Sequence, residues 1–159
     1  MSLEQTKDGN ALLKGFAAGV IGGLVATAAK SMAEKIYPPR VHGEPEPPEV
    51  TAEKIAGHPL DQDTKDAASE TIHWVFGAAA GGFYGVLAEL YPKITAKNGA
   101  TFGLTLMSLT HEGALPALGL SEPPEDQSFR EHSSEATTHI IYGVVTEKVR
   151  SFVRDILDK

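Results

Sequence analysis

Three histidines and several carboxylates are set into or beside stretches that otherwise carry no charge. His73, His111 and His139 fall in the runs 71–88, 98–111 and 136–146, all free of Asp, Glu, Lys and Arg. Glu34, Glu89, Glu112, Glu135 and Glu147 stand near the ends of such runs, and Lys30 lies one helical turn before Glu34. Imidazole nitrogen and carboxylate oxygen together suit first-row transition metals, so His73, His111, Glu135 and His139 are candidate ligands for a metal cofactor. The familiar spacings are missing. His111-Glu112 begins like H-E-x-x-H but has Leu115 in the second histidine's place. Glu135 and His139 are four residues apart, where di-iron carboxylate bundles use three. The same groups suit proton handling, because histidine titrates near neutrality and His/Glu chains inside membrane helices mark ion or proton paths. A third use is structural, with polar groups hydrogen-bonding one another to fix helix register. His42, His58 and His132 read as exposed loop residues.

Other chemistries have no seat. The sequence contains no G-x-x-x-x-G-K-[ST], no G-x-G-x-x-G after a strand and no G-x-S-x-G. It has no cysteine, which excludes disulfides and thiolate metal sites. A formal charge of -7 without a basic face argues against nucleic acid as a partner.

The elements that must position the polar residues are helices marked by glycine. Gly15, Gly19 and Gly23 recur every fourth residue in the first, and so do Gly77, Gly81 and Gly85 between His73 and Glu89. Gly99 and Gly103 mark a third helix, and Gly143 lies between His139 and Glu147 in a fourth. Each glycine costs about 1 kcal/mol relative to alanine in a helix interior, so close backbone contact must compensate. Asn10, Pro38, Tyr91, Pro92, Asn98 and Pro116 suggest helices over about 10–37, 67–91, 98–115 and 130–157. The loop 38–66 holds six of the ten prolines, which confines regular structure there to one short helix at TAEKIAG capped by Thr51. No strand is expected. The length of 159 residues points to a single helical domain.

Small-residue ladders are a usual means of helix association in lipid, and the uncharged run 71–88 reaches the roughly 18 residues asked of a span. Four spans with both termini inside place Lys7, Lys14, Lys93, Lys97, Lys148, Arg150, Arg154 and Lys159 on the cytoplasmic side. The short link YPKITAK has two cations and no acid, whereas SEPPEDQSFREHSSE is mostly acidic, as the positive-inside rule requires. Trp74 and Tyr91 suit opposite interfaces. ATA at 26–28 is similar to a signal-cleavage site, but MSLEQTKDGN is not strongly basic, so an uncleaved first helix is expected. Antiparallel spans would gather Lys30, Glu34, His73, His111, Glu112, Glu135 and His139 at the outward end and leave Glu89 and Glu147 at the other.

The motifs KSMAEKIYPPR, AELYPKI, PALGLSEPP and FREHSSEATTHIIYGVVTEKVRSFVRD, in that order, resemble the YagU-like family of small bacterial inner-membrane proteins. Glu131, Glu135, His139 and Glu147 fall on matching positions, and so does His73, sixteen residues before Glu89; the loop 41–70 and Glu112 do not match. The resemblance implies a multi-span inner-membrane protein and no established reaction. It also implies that Lys30, Glu34, His73, Glu89, His111, Glu135, His139 and Glu147 form one constellation. The expectation is therefore an all-α, four-helix transmembrane bundle packed through glycine ladders, embedded in lipid and associating with copies of itself. Its expected role is as a binding or structural module coupled to protons or ions. A metal-binding helical-bundle enzyme and a soluble all-α interaction protein are the alternatives.

Overall fold

A computed structural model describes residues 3–40 and 44–159; His42 and the side chain of Lys7 lie outside this description. The chain is all-α, with no strand among the described residues. Helix α1 (Leu3–Ile36) is followed by the short α2 (Pro47–Ala56) and the long α3 (Gln62–Leu90). After a tight 3-10 connection, α4 (Ala100–Leu109) runs through one π turn (Thr110–Ala114) into the single turn α5 (Leu115–Ala117), and α6 (Phe129–Leu157) closes the order.

Local chemistry explains most boundaries. The Asp61 carboxylate caps α3 by accepting the Thr64 amide at 3.1 Å, and Ser128 caps α6 by accepting the Glu131 amide at 3.1 Å. Pro38 and Pro39 follow the end of α1, and Pro92 follows the end of α3. The sequence places the start of α1 seven residues late and that of α3 five residues late, at Asn10 and 67. Two further expectations need correcting. The loop helix starts at Pro47 behind a Glu46–Glu49 capping box, not at Thr51. The third long helix starts after Gly99 rather than Asn98, because Lys97, Asn98 and Gly99 are all left-handed, at φ 55°, 53° and 83°, which makes a sharp reversal and not a first turn.

Glycine decides the packing. Helices α1 and α3 run antiparallel with Gly15 against Gly85, Gly19 against Gly81 and Gly23 against Gly77, and a side-chain carbon on any of these would overlap the facing helix. Gly99, just before α4, and Gly103 within it meet Gly143 and the His139 carbonyl of α6 in the same way. Gly22 lets α6 lie on a second side of α1, against Thr146 and Arg150. The ladders are thus used within one chain.

Many polar side chains are buried and many large apolar ones are exposed. Thr27, Lys30, Ser134, Glu135, Thr138, His139, Thr146, Glu147 and Arg150 are buried, while the buried apolar set is mostly alanine and tyrosine. Large apolar side chains such as Phe16, Val25, Val75, Phe83 and Leu109 point outward, Phe83 with 64% exposure. Buried polar groups and many exposed large apolar side chains are the informative departures from ordinary globular partitioning. Two helical stretches, Gly9–Ile36 and Gln62–Leu90, are long and apolar enough to cross a membrane. The other two expected spans do not meet that test: α4 itself is ten residues long, and α6 carries Glu131, Glu135, Glu147 and Arg150 along its length.

Gly81→Leu should separate α1 from α3 and lower stability in detergent by roughly 2 kcal/mol or more, the range of overpacked cores. Gly9→Ala, with nothing within 4 Å of the added carbon, should raise it by up to about 1 kcal/mol. Thermal melts followed by circular dichroism compare the two.

Candidate functional site

The antiparallel register places the C-terminal end of α1 beside the N-terminal ends of α3 and α6. The π turn after α4 brings its own polar residues to the same end. A cavity of about 270 Å³ opens there, reached by Lys30, Glu34, His73, His111, Glu135 and His139. Arg40, Glu46 and Pro47 also line it.

Glu135 is the centre. Its side chain is almost fully buried, yet four positive or potentially positive groups surround it. Lys30 Nζ lies 3.7 Å and His139 Nδ1 3.4 Å from Oε2; Arg40 Nη1 lies 3.5 Å and His111 Nδ1 3.4 Å from Oε1. Even so, Oε2 has no hydrogen-bond partner among the described residues. Lys30 makes its closest contact with Glu34, and the Arg40 guanidinium donates to Glu131 at 2.7 Å. His139 Nδ1 meets the Glu135 carbonyl oxygen at 2.9 Å, and with the proton there Nε2 keeps its lone pair. The His111 and His139 rings stand edge to face, 4.9 Å between centroids. One ligand atom each from His111, Glu135 and His139 lies within 4.8 Å of the others. His73 faces the same cavity but makes its polar contact with Ser31, at 3.3 Å.

Arg40 reaches the site because the chain after α1 folds back along α6. Tyr37 hydrogen-bonds through its hydroxyl to Ser133 at 2.7 Å and through its carbonyl to Ser134, and Arg130 donates to the Pro38 carbonyl at 3.0 Å. Arg130 also lies over the Tyr37 ring, 5.3 Å from its centroid. The YPPR sequence thereby becomes a strap that inserts a guanidinium between Glu131 and Glu135. Sequence reasoning missed Arg40; its signal was the two prolines, which force the chain out of helix beside a cation.

Glu112 does not join this cluster. It pairs with His132 Nδ1 at 2.9 Å, and His132 also meets the Pro124 carbonyl at 3.0 Å, so the two tie the π turn to the first turn of α6. His132 is accordingly a half-buried helical residue and not an exposed loop one, whereas His58 is exposed in a bend as expected.

Glu89 and Glu147, at the opposite end, are fully matched. Glu147 accepts from Arg150 at 2.8 and 2.9 Å and from the Tyr84 hydroxyl at 2.9 Å; Glu89 accepts from Arg154 at 2.8 and 3.2 Å. Stacking of Tyr84 on Phe102, 4.2 Å between centroids, fixes the phenol. The Glu89–Arg154 pair and the Tyr84–Glu147 bond join α3 to α6; Arg154 Nη1, ion-paired with Asp158, is a second buried polar atom without a hydrogen bond among the described residues.

The family model for proteins of unknown function DUF1440 matches residues 24–148, from the middle of α1 to the last turns of α6. The chain belongs to this family. The matched region contains every residue of the cavity end described above. No curated protein and no solved structure matches the chain.

Beside the cavity, outside the two apolar helices, the carboxyl of the solvent-exposed residue Glu46 is raised above the usual carboxylate range by partial desolvation and then by the Glu34 and Glu49 carboxylates; Arg40 and Lys30 pull it the other way. An acid raised in the folded state penalises folding once ionised, so docking of this segment weakens as pH climbs through that raised range. Hydrogen exchange of the α2 amides should therefore quicken with rising pH beyond its intrinsic dependence, and Glu46→Gln should flatten the excess. Arg40→Gln should destabilise the chain by about 3 kcal/mol, the cost of leaving a buried carboxylate without its partner, as read from thermal melts.

Proposed function

We propose that this chain is a small integral membrane protein with both termini on the cytoplasmic side, and that its polar chamber binds a cation. The single observation that carries the binding function is Glu135 Oε2, a deeply buried carboxylate oxygen without a hydrogen-bond partner among the described residues, in a residue that lines a cavity together with His73, His111 and His139. Taking an ionised carboxylate out of water costs several kcal/mol unless positive charge meets it. Lys30 and Arg40 supply part of that charge from 3.5 Å and beyond, while their shortest contacts go to Glu34 and Glu131.

The membrane reading is supported by the buried polar and exposed apolar side chains, by the two apolar helices and by the resemblance to YagU-like inner-membrane proteins. The third helix reaches further than α4 alone: with its π turn and α5 it extends roughly 27 Å at about 1.5 Å per residue, near the ~30 Å hydrocarbon thickness. In α6, Glu131, Glu135, Glu147 and Arg150 are buried, as ionisable residues inside membrane helices are. The connection 92–99, with Lys93 and Lys97, then lies on the cytoplasmic side, and the acidic 121–127 segment lies opposite.

The test is difference infrared spectroscopy of the protein in lipid vesicles, with Glu135→Gln to assign the carboxylate band. Changing pH, or adding a salt from a panel of alkali, alkaline-earth and first-row transition ions, should shift a band that is missing in the variant. A Glu135 band that responds to none of them would overturn the binding function. Release of the protein from membranes by alkaline carbonate would overturn the integral-membrane reading.

A further inference from the structure

We propose that the cation is a divalent first-row transition ion, held by His111, Glu135 and His139, and that Lys30 is an internal cation competing with it for Glu135. The inference rests on the chamber binding a cation at all and narrows which class it takes.

Two imidazoles and one carboxylate make a three-point donor set that leaves coordination positions free. That pattern suits zinc or iron, whereas calcium and magnesium take oxygen ligands. The three ligand atoms already lie within 4.8 Å of one another. Ligand bonds of about 2.0–2.2 Å require those atoms to close by roughly an ångström, a movement side-chain rotation supplies. The free positions face the cavity, which has room for water or a small ligand.

Three independent features point the same way. First, His139 meets the Glu135 carbonyl with Nδ1 at 2.9 Å, which leaves Nε2 to bind; metal-bound histidines characteristically anchor their second nitrogen in this way. Second, His111 is carried by the π turn, a helical irregularity that recurs at functional sites. Third, the charge around the chamber is unequal. Glu34, Glu46, Glu131 and Glu135 stand against Lys30 and Arg40, an excess of negative charge that a divalent ion would offset.

Lys30 gives the proposal a feature that a purely structural cluster lacks. Its ammonium contacts Glu34 and stands 3.7 Å from Glu135 Oε2, so it partly neutralises the ligand carboxylate. Binding of a metal ion pushes that ammonium wholly toward Glu34. Removing the charge should then tighten metal binding, whereas a side chain that only supported the fold would weaken it when replaced.

The experiment titrates the full chain in mild detergent, after treatment with chelator, with Co²⁺ and follows its visible ligand-field absorption; Zn²⁺ serves as competitor. One Co²⁺ per chain is expected, displaced by Zn²⁺. His111→Gln, chosen because His111 is the least buried of the three, should weaken binding by more than about tenfold with helicity unchanged. Lys30→Met should tighten binding severalfold. A site that saturates with Co²⁺ but is unchanged by His111→Gln, or weakened by Lys30→Met, would overturn the assignment. Absence of Co²⁺ absorption would also overturn it. If the Glu135 infrared band still responds to pH or to another cation in that case, the chamber reading survives; if it responds to nothing, both fall.

Discussion

Bare backbone against bare backbone is the contact on which everything else in this molecule depends. Gly19 and Gly81, with Gly23 and Gly77 one turn away, let α1 and α3 approach so closely that no side-chain carbon fits between them. Glycine in a helix is unfavourable by about 1 kcal/mol at each position, and dispersion between tightly packed backbones offsets it. The contact also fixes register. It sets the end of α1 level with the start of α3, so that Lys30 and His73 face one cavity and Tyr142 of α6 can reach the Gly77 carbonyl at 2.6 Å. Without glycine at these positions the helices would stand further apart and the chamber would lose its walls.

The two ends of the packed helices show how differently the same residue types can be used. At one end, Glu89 and Glu147 meet Arg150, Arg154 and Tyr84 in short, bidentate hydrogen bonds. Arginine is suited to this because its planar fork matches a carboxylate. At the other end, Glu135 has longer contacts to a lysine, an arginine and two histidines, and one oxygen without a hydrogen bond among the described residues. Interactions between charges strengthen as the surroundings lose water, so an incompletely matched carboxylate is costly where it stands. That contrast is what supports assigning the proposed binding to the Glu135 end. Membership of a family of unknown function adds a region of matched chain and no assigned reaction.

Much of the framework was legible before any coordinates. The four-residue spacing of Gly15, Gly19 and Gly23 and of Gly77, Gly81 and Gly85 announced the α1–α3 contact, and antiparallel topology alone gathered Lys30, Glu34, His73, His111, Glu135 and His139. What remained hidden depended on contacts between residues far apart in the chain. The Arg40 pairing with Glu131 spans about ninety residues and depends on how YPPR bends. Glu112 carries the same charge as Glu135, and only the π turn, which sends it toward His132, separates their uses. The start of α2 was read one turn late because Thr51 looked like a cap, whereas the prolines at 47 and 48 occupy the first turn, where a missing amide proton does no harm.

The central claim is that the glycine contacts press helices together where hydrocarbon surrounds them, leaving polar groups inside and large apolar side chains outside. Nitroxide labels placed singly at Val25, Phe83 and Leu109 of the protein in lipid vesicles measure this directly, through collision with oxygen, which concentrates in lipid, and with a water-soluble nickel chelate. High oxygen and low chelate accessibility at all three positions is the predicted result. Chelate accessibility equal to that of an exposed loop position such as Glu125 would contradict the account.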